Sequence, residues 1–382
     1  MFDAAIVGAG PAGAATAIHL AERGLRVVLL ERSQGDRRKA CGEGIFPRGL
    51  EELRRLDVHP QVEALGAPLS GVRFHARPYE ATATFGAGSR GLGMQRSDLD
   101  PLLRRRAVEV GVGLRLGTGV RSLVRGRGRF TGVETEDGER IEAAVVIGAD
   151  GLRSRVRRLA GLERPQRRRR YGISAHLQLS APVERFVDIH FHDDAEVYVT
   201  PVGPTTVNVA MLFRRGMRAA SGGPSEAFRG LLQADASLAG GTLLDEPVAA
   251  GPFPAASRRP WRDNLVLVGD AAGFVDAISG EGISTSLLSA RACANAVVGH
   301  LGGDPEQAFE RYARRRGGLA RNADLLAHLS LVLSSRPWLA RHSVRNLMRQ
   351  PETFRRLLGV SAGNLRLTDL RARDLLALAA GV

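Results

Sequence analysis

Ala4-Ala5-Ile6-Val7-Gly8-Ala9-Gly10-Pro11-Ala12-Gly13 opens the chain, and Leu25-Arg26-Val27-Val28-Leu29-Leu30-Glu31 follows after a helical stretch ending near Arg23 and Gly24. The order is apolar strand, glycine turn, helix, apolar strand, with an acid where the second strand ends. Glu31 stands 18 residues beyond Gly13, close to the ~20 that dinucleotide-binding crossovers use. Gly8 permits the tight turn, Gly10 lets the backbone approach a pyrophosphate, and Gly13 lets helix and strand pack closely. The helix N-terminus offers free N–H groups and the positive end of its dipole to phosphates. A carboxylate at Glu31 accepts both ribose hydroxyls and repels a 2′-phosphate. The expected ligand is therefore FAD or NAD rather than NADP.

Working outward, 382 residues are enough for a large core and two closely joined domains. Hydrophobic content of 44% and charged content of 25% fit a soluble globular protein. No run of 18 apolar residues suggests a membrane span. The glycine turn starts at residue 8, which leaves no room for a signal peptide, so a cytoplasmic location is expected. Cys41 and Cys293 make no disulfide framework. The net charge is +14, and Lys39 is the only lysine among 54 basic residues. That balance suits an anionic cofactor, an anionic substrate or an acidic membrane surface. No nucleic-acid partner is expected, because no helix-turn-helix, zinc finger or RNA-binding signature accompanies the arginines. Arg167 to Arg170 reads as a solvated loop. No metal site is expected, and the oligomeric state is left open.

Farther along, a helix begins near Met94-Gln95-Arg96-Ser97-Asp98-Leu99, with Ser97 or Asp98 as its cap. A strand and hairpin follow from Leu114 to Val133. Ala144-Val145-Val146-Ile147-Gly148-Ala149-Asp150-Gly151 and Asn264-Leu265-Val266-Leu267-Val268-Gly269-Asp270 read as buried parallel strands, apolar without alternation. Gly280-Glu281-Gly282 opens a long helix through Ile283 and Leu287 to Val297. Between Tyr171 and Phe213 the pattern alternates instead. Those segments read as half-exposed antiparallel strands, with His176, His190, His192 and Tyr198 as solvent-facing residues on the polar face. A helix is expected near Ser225 to Leu232. The fold class is α/β: a Rossmann-like FAD-binding domain (GR2 type, three-layer) with an inserted antiparallel-sheet substrate domain and a helical C-terminus. The boundaries are 1–75 with 92–170 and 258–302 for the first domain, 76–91 and 171–257 for the second, and 303–382 for the last.

Three motifs in this order resemble one flavoprotein superfamily. They are Gly8-x-Gly10-x-x-Gly13 with Glu31-Arg32, Gly148-Ala149-Asp150-Gly151-x-x-Ser154-x-Val156-Arg157, and Gly269-Asp270-Ala271-Ala272-Gly273 with Gly280-Glu281-Gly282-Ile283. The superfamily contains the aromatic hydroxylases of the p-hydroxybenzoate hydroxylase type (class A monooxygenases) and the geranylgeranyl reductases. The resemblance spans most of residues 1 to 300 and implies FAD as cofactor, with NAD(P)H as a transient reductant. It implies that Gly8, Gly10, Ala12, Gly13, Glu31 and Arg32 hold the adenylate half. Arg96 would contact the phosphates or ribityl chain, Val120 the adenine, and Asp150 and Asp270 the cofactor at two strand ends. Gly280, Gly282 and Ile283 would point helix N–H groups at the flavin pyrimidine, where reduced flavin carries negative charge.

Two further segments bear on the reaction. Lys39-Ala40-Cys41-Gly42-Glu43-Gly44 is similar to a Cys-Gly-x-Gly stretch of the reductases, which implies that Cys41, Gly42 and Gly44 touch the flavin. In contrast, those reductases show a Tyr-x-Trp-x-Phe-Pro strand, and this chain has Glu196-Val197-Tyr198-Val199-Thr200-Pro201. That departure favours the monooxygenase branch. The tryptophan-rich motif of flavin-dependent halogenases is absent. The expected function is an FAD-dependent oxidoreductase using NAD(P)H, a monooxygenase of a small hydrophobic aromatic or polyene metabolite of secondary metabolism. The alternative is an isoprenoid double-bond reductase, and a non-catalytic prenyl-binding protein is the alternative of another class. Cys41, His176 and Tyr198 are the catalytic candidates. Leucines between Leu325 and Leu333 are expected to pack on the substrate domain, with peripheral contact to an anionic membrane as the other reading.

Overall fold

The computed structural model describes residues 1–36, 38–166, 170–193, 195–213, 223–235, 238–277, 281–333, 336–371 and 374. Its first sheet runs, edge to edge, Trp261–Arg262, Leu265–Leu267, Arg140–Gly148, Phe2–Val7, Val27–Leu30 and Gly113–Arg115. From Leu265–Leu267 onward all neighbours are parallel. Their apolar runs need no alternation, because both faces are covered. On one face lie the helices Pro11–Ala21, Arg96–Glu109 and Gly282–Leu301, sharing a core of Ile6, Ile18, Leu29, Leu103 and Leu287. On the other lies the antiparallel hairpin Val120–Gly126 and Arg129–Thr135, which packs Phe130 and Val133 beneath Val28 and Val146. Helix, sheet and hairpin make the three layers of a Rossmann-like FAD-binding fold.

The helix Pro11–Ala21 begins one residue after Gly10, with proline in its first turn, where the missing N–H costs nothing. Its alanines let it lie buried between the sheet and Gly282–Leu301. The helix Arg96–Glu109 is capped by neither Ser97 nor Asp98. Gln95 occupies the cap without a side-chain bond, and the other two already lie in the first turn.

The second sheet is larger than its alternation implies. Its order is Thr242–Leu243, Arg170–Gln178, Thr206–Phe213, Ala195–Pro201, Phe186–Phe191, Gly71–Ala76 and Tyr79–Thr84. It therefore takes in the chain from Gly71 rather than from residue 76, because Gly71–Ala76 pairs in parallel with Phe186–Phe191. Nor are its strands half-exposed. The face carrying Ala175, Val197, Val207 and Val209 packs with Phe228 of the helix Gly223–Ala234. The opposite face carries Ser174, His176, Tyr198 and Asn208 and is covered by residues 38–44 of the nucleotide domain. Consequently His176 and Tyr198 are 4% and 6% exposed rather than solvent-facing.

After the long helix Pro305–Leu333, the helices Pro337–Arg349 and Pro351–Ser361 pack Val344, Leu347 and Phe354 against Ala81 and Ala83 of the second sheet. Among the leucines singled out in the sequence, Leu331 is partly buried against this cluster. The side chains of Leu325, Leu326, Leu329, Val332 and Leu333 lie outside the described residues.

Candidate functional site

The glycine turn is built as its spacing requires. Gly8 has φ +104°, and a Cβ there would come within 2.5 Å of the Ala149 carbonyl oxygen. A Cβ on Gly13 would meet the Gly8 carbonyl oxygen at 1.9 Å. Gly10 differs: the nearest atoms to an added Cβ are Arg96 Nη2 at 3.6 Å and Lys39 Nζ at 3.8 Å. Two cations thus converge on an open glycine at a helix N-terminus, the chemistry a pyrophosphate requires. Ala12 is buried against the turn at Gly269, whose own Cβ would reach it at 2.7 Å.

Glu31 closes the other side of the crossover. Its carboxylate accepts from Ala9 N–H at 3.0 Å and Ser33 N–H at 3.2 Å, which fixes it at the strand end. Arg32 is exposed, and Val120 is buried at the start of its hairpin strand. These residues fit the adenylate half of FAD: a cradle, paired cations and an anchored ribose acceptor.

Arg96 is held by Asp100 one turn along its helix, through two bonds of 2.7 and 2.9 Å, and Lys39 adds a third contact at 3.3 Å. Burial works against the Arg96 charge, yet Asp100 outweighs it and the guanidinium stays firmly protonated. Asp270 sits in the short turn Gly269–Ala272. Burial pushes its carboxyl up, opposed by Arg96, Arg316 and Arg157. Arg157 pins this turn to the Asp-Gly turn: it donates to the carbonyls of Ala271 and Leu152, each at 2.9 Å. Asp150 has its oxygens engaged locally, by the Ser154 hydroxyl and by the N–H groups of Arg155 and Val156 at 2.6 and 3.0 Å. It orders the turn and takes up the first two N–H groups of the helix Arg155–Leu159, whose cap is Ser154. Gly282 and Ile283 begin the helix Gly282–Leu301, and Gly280 lies outside the described residues.

Between the two sheets lies a mostly apolar cavity of about 660 Å³, counting the part open to solvent. Its walls include Ala40, Cys41, Gly42 and Gly44 from the nucleotide side. Ser174, Ile189, Tyr198, Thr200, Ala210 and Phe253 contribute from the substrate side. Ile189, Tyr198 and Ala210 are cross-strand neighbours on one face. Burial pushes the Cys41 thiol up, with Arg96 opposing, and pushes the Tyr198 hydroxyl well up. Both therefore carry their protons at neutral pH.

Glu43, Asp245 and Asn208, to which the sequence reading gave no role, tie this wall together with His176 and Cys41. Glu43, in the left-handed region with φ 58°, accepts the Arg96 N–H at 2.8 Å and contacts His176 Nε2 at 2.7 Å. His176 Nδ1 lies 2.7 Å from Asp245, which pairs with Arg38 at 2.7 Å. Burial disfavours a charged ring, but the bonds and charges of Glu43 and Asp245 outweigh it and raise the His176 pKa. Asn208 donates to the Cys41 carbonyl at 2.8 Å, and Cys41 N–H donates to Ser174 Oγ at 3.3 Å. Glu43 stood within a motif already read; Asp245 carries no local signal at all.

Fold and site together define an FAD-dependent oxidoreductase. The chain belongs to the FAD binding domain family, which matches residues 1–323. It is 32% identical over 307 residues to digeranylgeranylglycerophospholipid reductase 2 of Methanopyrus kandleri, covering 76% of this chain and 75% of that one. It is 30% identical over 339 residues to menaquinone reductase of Mycolicibacterium smegmatis, covering 82% and 81%. Among solved structures, a flavin-dependent brominase superposes with a TM-score of 0.84 at 18% identity, over 99% of this chain and 98% of that one. That likeness concerns the fold.

Proposed function

We propose that this flavoprotein reduces carbon–carbon double bonds of an isoprenoid chain, with NAD(P)H as the transient source of electrons. The observation that carries this reading is the position of Cys41-Gly42-Glu43-Gly44: the reductase-like stretch forms one wall of an apolar cavity that the substrate sheet completes. The two similar reductases support it, since their names join a geranylgeranyl lipid and a menaquinone to reduction. It favours the reductase expectation over the monooxygenase one. The altered strand Glu196–Pro201 still presents Tyr198 and Thr200 to the cavity, so the aromatic departure reshapes the wall without removing it.

The chemistry that FAD would supply when bound here is hydride for a carbon–carbon double bond. The chain's own residues do the rest. Gly10, Arg96, Lys39 and Glu31 would hold the dinucleotide half, and the helix start at Gly282 would offer its N–H groups to the flavin. Ile189, Ala210 and Phe253 exclude water, which suits a small hydrophobic substrate or the tail of a larger one. The protonated Cys41 thiol and Tyr198 hydroxyl are the proton-bearing groups available to complete a reduction.

Among the described residues no helix is long and apolar enough to cross a membrane. The helix Pro337–Arg349 nevertheless exposes Trp338, Arg341, Met348 and Arg349 opposite its buried face. That stripe suits peripheral contact with an anionic membrane from which a lipophilic substrate is drawn.

The test is product mass. The enzyme, supplied with NAD(P)H and a geranylgeranyl lipid or a menaquinone, is incubated with and without oxygen. Gain of two hydrogens in both conditions supports the reading; gain of one oxygen atom, in air only, rejects it in favour of monooxygenation.

A further inference from the structure

His190 and His192 are two apart along an extended segment, so their side chains share one face. Their rings lie nearly parallel, 9° apart. Asp235, which follows the helix Gly223–Ala234 directly, brings its carboxylate to both of them. Asp235 Oδ2 is 3.3 Å from His190 Nδ1 and 3.6 Å from His192 Nε2. One ligand atom from each residue falls within 4.8 Å of the others. Ligands bonded at about 2.0–2.2 Å around a tetrahedral ion stand about 3.3 Å from one another.

We propose that His190, His192 and Asp235 bind one divalent transition metal ion, zinc foremost, as a structural clip. Two imidazoles and one carboxylate select zinc and its neighbours over magnesium or calcium, which take oxygen ligands. A fourth position remains for water. Asp235 is 3% exposed, so bulk water competes little for its carboxylate there. His75 stacks on His190 at 4.4 Å but is engaged with Asp188 at 2.8 Å, which leaves it as a buttress rather than a ligand.

The location argues for a structural role. His190 is the cross-strand partner of Val197, on the face packed with Phe228, whereas its neighbour Ile189 faces the apolar cavity. The ion would thus fasten the end of the helix Gly223–Ala234 to the sheet's far face, away from the flavin wall. Metal binding there couples to local folding, because Asp235 and the histidines come from separate elements.

The experiment uses tag-free, FAD-loaded protein stripped with chelator. Zn²⁺ is titrated against a chromophoric competitor, Co²⁺ is followed by its visible bands, and hydrogen exchange is recorded with and without Zn²⁺. One equivalent is expected to bind, unaffected by Mg²⁺ in excess, with at least tenfold slower exchange at the end of the helix Gly223–Ala234. His192→Gln is expected to weaken binding at least tenfold with the flavin spectrum unchanged, and Asp235→Asn likewise. Should Asp235→Asn lose its fold by circular dichroism, the more exposed His192→Gln decides. Absence of stoichiometric binding, or binding undiminished in His192→Gln, overturns the proposal and leaves the cluster as an ion pair with a stacked ring.

Discussion

His176 Nε2 and a carboxylate oxygen of Glu43 lie 2.7 Å apart across the seam between the two sheets, although 133 residues separate them in the chain. The bond places the cavity-lining loop, the Arg96 helix start and the substrate sheet in one network. His176 has carboxylates at both ring nitrogens and a raised pKa, so it acts as an imidazolium clamp.

Replacing the clamp tests it. His176→Gln is expected to destabilise the protein by ~2–3 kcal/mol at pH 6, since it removes charge-assisted bonds from buried carboxylates. The folded pKa exceeds the ordinary 6.5. The native state therefore holds the proton longer than the unfolded chain. The stabilisation is complete below pH ~6.5 and is lost as pH rises through the folded value, at up to ~1.4 kcal/mol per pH unit. Urea melts of both proteins from pH 5.5 to 9 should show the gap closing. A constant gap would mean the ring is neutral and merely packed.

Two glycines of the turn separate fold from ligand. Gly13→Ala places a methyl 1.9 Å from a backbone oxygen, so it should cost ~3 kcal/mol or more and lower the melting temperature of apoprotein and holoprotein alike. Gly10→Ala meets no protein atom nearer than 3.6 Å. It should leave apoprotein stability unchanged and weaken FAD binding by at least tenfold. Equal effects of the two in the apoprotein would remove Gly10 from the phosphate cradle.

Arg96→Gln should weaken FAD binding by about 10- to 100-fold, the worth of one or two charge-assisted bonds at ~1.5–3 kcal/mol. Asp100→Asn should do less, because Asp100 positions Arg96 rather than meeting the cofactor. Equilibrium titration of apoprotein with FAD checks the ranking, and equal losses would place Asp100 in the site itself.

Glu281, buried and held by the Ser361 hydroxyl, has its pKa pushed up by burial to about 8 from an ordinary 4.5. The native state therefore keeps a proton that the unfolded chain gives up above pH 4.5. Its contribution falls as pH climbs through 8, by up to ~1.4 kcal/mol per pH unit. Glu281→Gln should consequently gain stability relative to the parent between pH 5 and pH 9 in denaturant melts. A gain in the opposite direction would mean the carboxylate is ionised and paired.

The nucleotide-binding half was legible in the sequence because its constraints are local. A Cβ at Gly8 or Gly13 collides within a few residues or across one strand, so the chain itself displays the requirement. The carboxylate–histidine clamp was not legible, because Glu43, His176 and Asp245 meet only after two domains close. A period-two pattern says that His176 and Tyr198 share a face; it does not say what covers that face. For the same reason residues 71–75 read as part of the first domain: the strand Gly71–Ala76 pairs with Phe186–Phe191, more than a hundred residues away. Asp150 was visible as part of a motif, yet its oxygens serve the turn that carries it.

An anaerobic single-turnover reaction bears most directly on the central claim, that a flavin gripped by the glycine crossover delivers electrons into the apolar cavity. The FAD-loaded protein is reduced with dithionite, freed of excess reductant and mixed without oxygen with a geranylgeranyl lipid or a menaquinone. Return of the oxidised flavin band, with one double bond saturated per flavin, is the predicted result. A flavin that stays reduced until air is admitted, with oxygen then found in the product, would contradict it.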